Sequence, residues 1–158
     1  MTIPFVKAHG AGNDFLLIQP VETDYPALAR AICDRHQGVG ADGLIVFTAP
    51  TRIRLFNSDG SEAELSGNGT RCAAAVVIAD GGATDTVTIE TLAGPKHLRL
   101  LERQDNHFLF EMDMGRPNYS PEDVGCPLET SGGPRPVTIL DVGNPQCAVL
   151  VESLEFDW

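Results

Sequence analysis

Between Cys72 and Ala79 the chain carries eight consecutive apolar residues, four of them alanine, so a helix there has no polar face at helical spacing. Such a helix must be enclosed, and in a short chain the remaining elements have to wrap around it. The spacing predicts a buried helix over residues 70–80, stopped by Gly81-Gly82. Its entry is Ser66-Gly67-Asn68-Gly69-Thr70, in which two glycines allow a ligand close to the backbone and Asn68 or Thr70 can cap the first turn. The open N–H groups and the positive dipole end at that point favour an anion. Arg71 opposes the dipole and is expected to pair with a carboxylate of the protein or of a ligand.

With 158 residues the chain can bury roughly two-thirds of its unfolded surface, as one domain or two small lobes. Its 42% apolar and 21% charged residues and mean hydropathy of -0.05 describe an ordinary globular protein. A net charge of -11 argues against nucleic acid or an anionic membrane surface as partner. No window is long and apolar enough to span a bilayer and the N-terminus lacks a signal-peptide pattern, so the default location is cytoplasmic. Cys33, Cys72, Cys126 and Cys147 have no C-x-x-C spacing, which leaves neither a zinc site nor a disulfide framework. Cys72 reads as core and the others as reduced thiols.

Residues 3–9 and 15–18 read as two strands joined by Gly10-Ala11-Gly12-Asn13-Asp14, a turn of residues that tolerate positive φ. Asp24 caps a short amphipathic helix that runs to about Arg35. Gly38-Val39-Gly40-Ala41-Asp42-Gly43 matches G-x-G-x-x-G, but a helix precedes it and a strand, 44–47, follows. That is the reverse of a dinucleotide site. His36 reads as a structural loop histidine. Residues 52–57 alternate as a half-buried strand, and Ser61-Glu62-Ala63-Glu64 fits a capping box, predicting one helical turn before Leu65. Strands over 86–91, 96–102 and 107–112 form an antiparallel meander, 115–135 reads as loop, and a last strand pair is expected near 137–140 and 148–151. Val142-Gly143-Asn144-Pro145-Gln146-Cys147 lies between these two as a turn.

Taken together, four ordered stretches resemble one family. Asn57, Asp59-Gly60-Ser61, Ala63, Gly67-Asn68-Gly69 and Arg71-Cys72 follow the pattern N-x-D-G-S-x-A-x-x-C-G-N-G-x-R-C of the diaminopimelate epimerases. H-G-A-G-N-D-F at residues 9–15, R-H-Q-G-V-G-A-D-G-L at 35–44 and G-N-P-Q-C at 143–147 are similar to further motifs of that family. Two positions depart from it: Ser66 stands where the family has a cysteine acting as acid/base on the substrate α-carbon, and Gln146 stands where it has a histidine. The resemblance runs from His9 to about Trp158. It implies an α+β fold, a mixed, largely antiparallel and strongly curved sheet wrapped around a central buried helix.

Family members are about twice this length, with two similar lobes and the active site between them. On that basis residues 1–158 correspond to a single N-terminal lobe, and the ending Leu154-Glu155-Phe156-Asp157-Trp158 suits a chain that stops between lobes. The resemblance implies a cofactor-independent isomerase that interconverts LL- and meso-diaminopimelate for lysine and peptidoglycan precursors, with a small amino acid as substrate and no metal. It leaves a homodimer open and requires a second lobe to complete the site. By residue, it implies Ser66 at the catalytic position and Asn13, Asn57, Gly67, Asn68 and Asn144 as substrate contacts. Inverting an α-carbon needs acid/base groups on both faces; a thiol with pKa near 8.5 suits this, whereas a serine hydroxyl acts as a base only when another group activates it. Two alternatives stand beside the epimerase: an enzyme using one proton-transfer face, as in proline-racemase-like epimerases or dehydratases, and a catalytically silent amino-acid-binding lobe.

Overall fold

The computed structural model describes residues 2–153, so the chain's last five residues, including Phe156 and Trp158, lie outside the described part. The described chain divides into two compact units, the first ending at Met114 and the second starting at Gly115. The predicted single lobe did not include this division.

In the first unit β1 (Phe5–Gly10) and β2 (Asn13–Ile18) form a hairpin. Its two turn residues, Ala11 and Gly12, both have positive φ (53° and 84°), which matches the twist of the flanking strands. Helix α1 (Tyr25–Cys33) is capped by Asp24, whose carboxylate accepts from the Ala27 N–H at 3.1 Å. It leads through the glycine-rich loop into β3 (Gly43–Ala49), which pairs parallel with β2 and antiparallel with β4 (Arg52–Asn57). The order helix, loop, strand is the one that argued against a dinucleotide site.

The predicted helical turn after Ser61 is instead a two-residue strand, β5 (Glu62–Ala63), paired with β4. The Ser61 hydroxyl donates to Asp59, so the capping residue is committed elsewhere, and Glu62, inside the would-be turn, forms a two-point ion pair with Arg54 on the neighbouring strand at 2.6 and 2.9 Å. Helix α2 (Gly67–Ala79) follows, then β6 (Thr86–Thr91), β7 (Gly94–Gln104) and β8 (His107–Met112). The sheet order is β1-β2-β3-β4-β6-β7-β8, with β5 beside β4. Because α2 touches β1 and β2 near one edge and β7 and β8 at the other, the sheet curls around the helix.

Alternation along β2 and β3 divides the core. Phe15, Leu17, Ile45, Ile53 and Leu55 face α2, packed on Cys72, Ala73, Ala74, Val77 and Ile78. Leu16, Ile18, Leu44, Val46 and Phe56 face the other way, under α1 residues Ala29 and Cys33. Strands buried on both faces read as continuous apolar runs, as LLI and LIV do here. Ala73 and Ala74 are fully buried, and their small side chains let the helix backbone approach the sheet.

The central helix departs from expectation in two respects. It begins at Gly67 rather than near residue 70, and its enclosure is incomplete: Arg71, Ala75 and Val76 are half-buried and Ala79 is exposed. That face lines an open groove of about 700 Å³ with Val6, Ala8, Phe108 and Phe110 of β1 and β8. The α2 C-terminus follows prediction, with Gly81 at φ 77° returning its N–H to Ile78 and Gly82 to Val77.

In the second unit β9 (Val124–Leu128), β10 (Arg135–Asp141) and β11 (Pro145–Ala148) form an antiparallel sheet in the order β11-β10-β9. The stretch predicted as loop therefore contains a short 3-10 turn, Pro121–Asp123, and strand β9. Pro127 lies on the edge strand β9, and Pro136, opposite it, lies on the part of β10 that pairs with β9 alone, so two residues without an N–H face each other where β11 does not reach. The last strand falls earlier than predicted, starting at Pro145 directly after a three-residue loop. No helix among the described residues is long and apolar enough to cross a membrane.

Candidate active site

The first turn of α2 is built by Ser66. Its backbone is extended (φ -130°, ψ 119°), and its hydroxyl accepts from the Gly69 N–H at 3.1 Å, so Ser66 is the N-cap and Asn68 and Thr70 lie inside the helix. This corrects the expected cap. Thr70 closes the turn with its N–H and its hydroxyl both on the Ser66 carbonyl, each at 2.8 Å, which satisfies a fully buried side chain. Of the first-turn amides, Gly69 is bonded to the cap. Those of Gly67 and Asn68 have no acceptor among the described residues.

Two glycines seat this turn. A Cβ on Gly69 would lie 2.9 Å from Leu55 Cδ1 and 3.1 Å from Ile45 Cδ1, so only glycine lets the helix N-terminus lie on β3 and β4. A Cβ on Gly10 would come within 3.3 Å of Asn68 Cβ, which marks how closely the β1–β2 turn abuts the first turn of α2.

That contact brings Asn13 to Asn68. The Asn68 Nδ2 donates to Asn13 Oδ1 at 3.3 Å, and the Asn13 Nδ2 donates to Asp42 Oδ2 at 2.8 Å. Arg71 donates to Asn68 Oδ1 and has no carboxylate within ion-pair distance among the described residues, so the protein supplies no counter-charge to it there. Behind Asn13, Arg35 bridges Asp14 at 2.7 Å and Asp42 at 2.8 Å, and Lys7 reaches Asp14 at 3.3 Å. The Arg35 guanidinium holds the Asp14 carboxyl well below the usual carboxylate range, and the Asn13 amide is the main cause of a lowered value at Asp42. Both are ionised at neutral pH.

Asn57 ends β4 in register with Gly43, which pairs with Phe15 on β2, so Asn57, Asp42 and Asn13 occupy one end of adjacent strands. Its own side chain donates to Ser61 Oγ at 2.9 Å within the Asp59–Gly60 turn. Asn144 belongs to the second unit, exposed on the loop between β10 and β11, with Gln146 Nε2 donating to its carbonyl at 3.5 Å. Thus Ser66, Gly67, Asn68 and Asn13 form one cluster with Asn57 at the same sheet end, and Asn144 is on a separate body.

The thiols near this cluster are not poised for proton transfer. Burial pushes Cys72 and Cys33 up to about 11. All four cysteines are free, as predicted. His36 is exposed, and its backbone N–H donates to the Asp34 carboxylate at 2.7 Å, a turn contact that fits a structural role. Sequence reasoning missed Asp14, Arg35 and Asp42 as a charged group. Their letters sit inside N-D-F and R-x-x-G-x-G-A-D-G, but their meeting depends on the parallel β2–β3 pairing.

A sequence model described as diaminopimelate epimerase matches residues 5–120. The chain is 39% identical to a diaminopimelate epimerase of Pelotomaculum thermopropionicum, covering 96% of this chain and 61% of that protein. It is likewise 39% identical to one of Archaeoglobus fulgidus, covering 99% and 61%. The chain thus spans about three-fifths of the length of these relatives. Among solved structures, a probable proline racemase from Agrobacterium radiobacter aligns with a TM-score of 0.66 at 15% identity, over 88% of this chain and 49% of that one. A hydroxyproline epimerase from Agrobacterium vitis aligns with a TM-score of 0.64 at 14% identity, over 87% and 48%. These two establish the fold, and the curled sheet around a helix agrees with the predicted class.

Proposed function

Since the chain belongs to the diaminopimelate epimerase family, we propose that it forms one lobe of a cofactor-independent amino-acid epimerase acting on diaminopimelate, in the cytoplasmic supply of lysine and peptidoglycan precursors. The observation that carries this reading is the N-terminus of α2. There the Gly67 and Asn68 amides, the Asn13 and Asn68 carboxamides and Arg71 together offer hydrogen-bond donors, with Ser66 at the motif's acid/base position. A substrate α-carboxylate held by these amides gains charge as the α-proton leaves, and donors fixed in advance stabilise that charge. Asn57 and Asn144 complete the proposed substrate contacts on motif grounds. A second lobe would supply the opposing base and exclude water.

Ser66 limits this chemistry on its own face. Its oxygen accepts from Gly69, and among the described residues no basic side chain bonds to it, so the unactivated hydroxyl serves as a weak acid rather than a base. This observation favours a second reading, in which proton exchange occurs on one face and inversion is slow.

Incubation of diaminopimelate in deuterated buffer separates the readings. The 158-residue chain alone should give no measurable inversion, and Ser66→Cys should not rescue it. In a protein extended to the relatives' length, exchange should be present and Ser66→Cys should raise inversion relative to one-face exchange. Substantial inversion by the unmodified chain would overturn the need for a second lobe. Absence of both exchange and binding in the extended protein would overturn the epimerase reading itself.

A further inference from the structure

We propose that Asp42 is a positioning residue that fixes the amide orientation of Asn13, and through it that of Asn68, so that both amides turn their oxygens inward and offer N–H groups to a bound carboxylate. This rests on the reading above that the cluster takes an amino-acid carboxylate.

Hydrogen-bond direction decides the orientation. A carboxamide has one acceptor end and one donor end, and its two orientations have nearly the same shape, so something outside must choose between them. Here the choice is made from both ends of a chain of side chains. Asp42 is ionised and can only accept; Arg71 can only donate. Between them stand Asn13 and Asn68. A continuous chain exists in one sense only: Asn13 Nδ2 to Asp42 at 2.8 Å, Asn68 Nδ2 to Asn13 Oδ1 at 3.3 Å, and Arg71 to Asn68 Oδ1. Each amide oxygen is thereby turned toward a donor inside the protein. Each amide keeps a second N–H that makes none of these bonds, and Arg71 adds further N–H groups.

Asp42 is itself anchored for this task. The Asp14 N–H donates to its Oδ2 at 3.0 Å and Arg35 to its Oδ1 at 2.8 Å, while the Asp42 N–H returns to the Asp14 carbonyl at 2.9 Å. Arg35 and Lys7 offset the charge of the two aspartates, so the negative end of the chain does not oppose an anion at the other end. In Asp42→Asn the shape is kept, but position 42 can donate, and Asn13 is free to turn its oxygen outward.

The test uses the 158-residue chain and LL-diaminopimelate as probe, with 1,5-diaminopentane as the analogue lacking carboxylates. Side-chain amide signals of Asn13 and Asn68 are followed by proton–nitrogen NMR, and melting temperature is recorded for each variant. Asp42→Asn should move the Asn13 signals, weaken diaminopimelate binding about tenfold and leave diaminopentane without effect, at a melting temperature close to that of the parent. Unmoved Asn13 signals, or equal affinity in the variant, would overturn the inference. If the parent chain does not bind diaminopimelate, carboxylate capture by this lobe alone is overturned, the epimerase reading is left to the extended protein, and the Asn13 signals decide the role of Asp42.

Discussion

Gly69 and Gly67 stand two residues apart in the same helical turn, and the packing around them predicts opposite responses to alanine. Replacing a helical glycine by alanine removes conformational freedom from the unfolded chain and gains about 0.5–1 kcal/mol when the new methyl group finds room. At Gly69 it does not: the methyl carbon would lie 2.9 Å from Leu55, 3.1 Å from Ile45 and 3.4 Å from Phe15. These side chains are at most 4% exposed, so none can swing aside into solvent. Overpacking of this kind costs about 1–3 kcal/mol, which exceeds the gain and leaves Gly69→Ala less stable by about 1 kcal/mol. At Gly67 the nearest atoms are Arg71 at 3.7 Å and Met114 at 3.8 Å, ordinary contact distances, so Gly67→Ala should keep the gain. For a chain of this size, 1 kcal/mol corresponds to about 2–4 °C in melting temperature. Urea titrations followed by circular dichroism should show the two midpoints displaced in opposite directions with unchanged slopes. A Gly69→Ala protein as stable as the parent would show that the helix N-terminus is not seated on β3 and β4 as described.

Two further outcomes follow from the same core and network. Ala74 is fully buried against the sheet, so Ala74→Asp places a carboxylate without a partner among apolar side chains and should cost about 3 kcal/mol or more, measured by urea denaturation. Asp14 titrates below its unfolded value because of Arg35, so its contribution to stability is present above about pH 4 and is lost as pH falls through the lower folded value. Asp14→Asn should therefore be less stable at pH 6 but lose less stability between pH 4 and pH 2 than the parent; equal acid slopes would remove Arg35–Asp14 as a stabilising pair.

Local signals carried much of this fold. Apolar alternation in RIRLF and TVTIET, the Asp24 cap and the Gly81 stop depend on neighbours a few residues away, and the corresponding elements occur where expected. The errors arise where distant residues compete. Ser61 and Glu64 have the letters of a capping box, yet Arg54 on the adjacent strand holds the intervening Glu62, and the segment pairs into the sheet. Ser66 outcompetes Asn68 and Thr70 as cap because the helix starts a turn earlier, a choice made by the sheet packing at Gly69. Prolines in 115–135 suggested a loop, but antiparallel pairing to β10 accommodates Pro127. Of the site, Asn13 and Asn68 were legible as motif letters; the carboxylate and guanidinium that give their amides a direction were not.

The curled sheet has consequences for colloidal behaviour. Among the described residues β1 and β8 end the sheet without further pairing, and each shows apolar side chains to solvent: Phe5 is 48%, Val6 47% and Leu109 55% exposed. Open strand edges of this sort invite pairing between chains, and a lysine on the edge is a common deterrent. Lys7 is the one such residue of β1, and it is drawn inward to the Gly40 carbonyl and Asp14. What keeps the chains apart near neutral pH is then their mutual repulsion, from a net charge of -11. That repulsion vanishes near the isoelectric point of about 4.6 and is screened by salt, so mildly acidic, high-salt solutions are where the protein should precipitate while still folded.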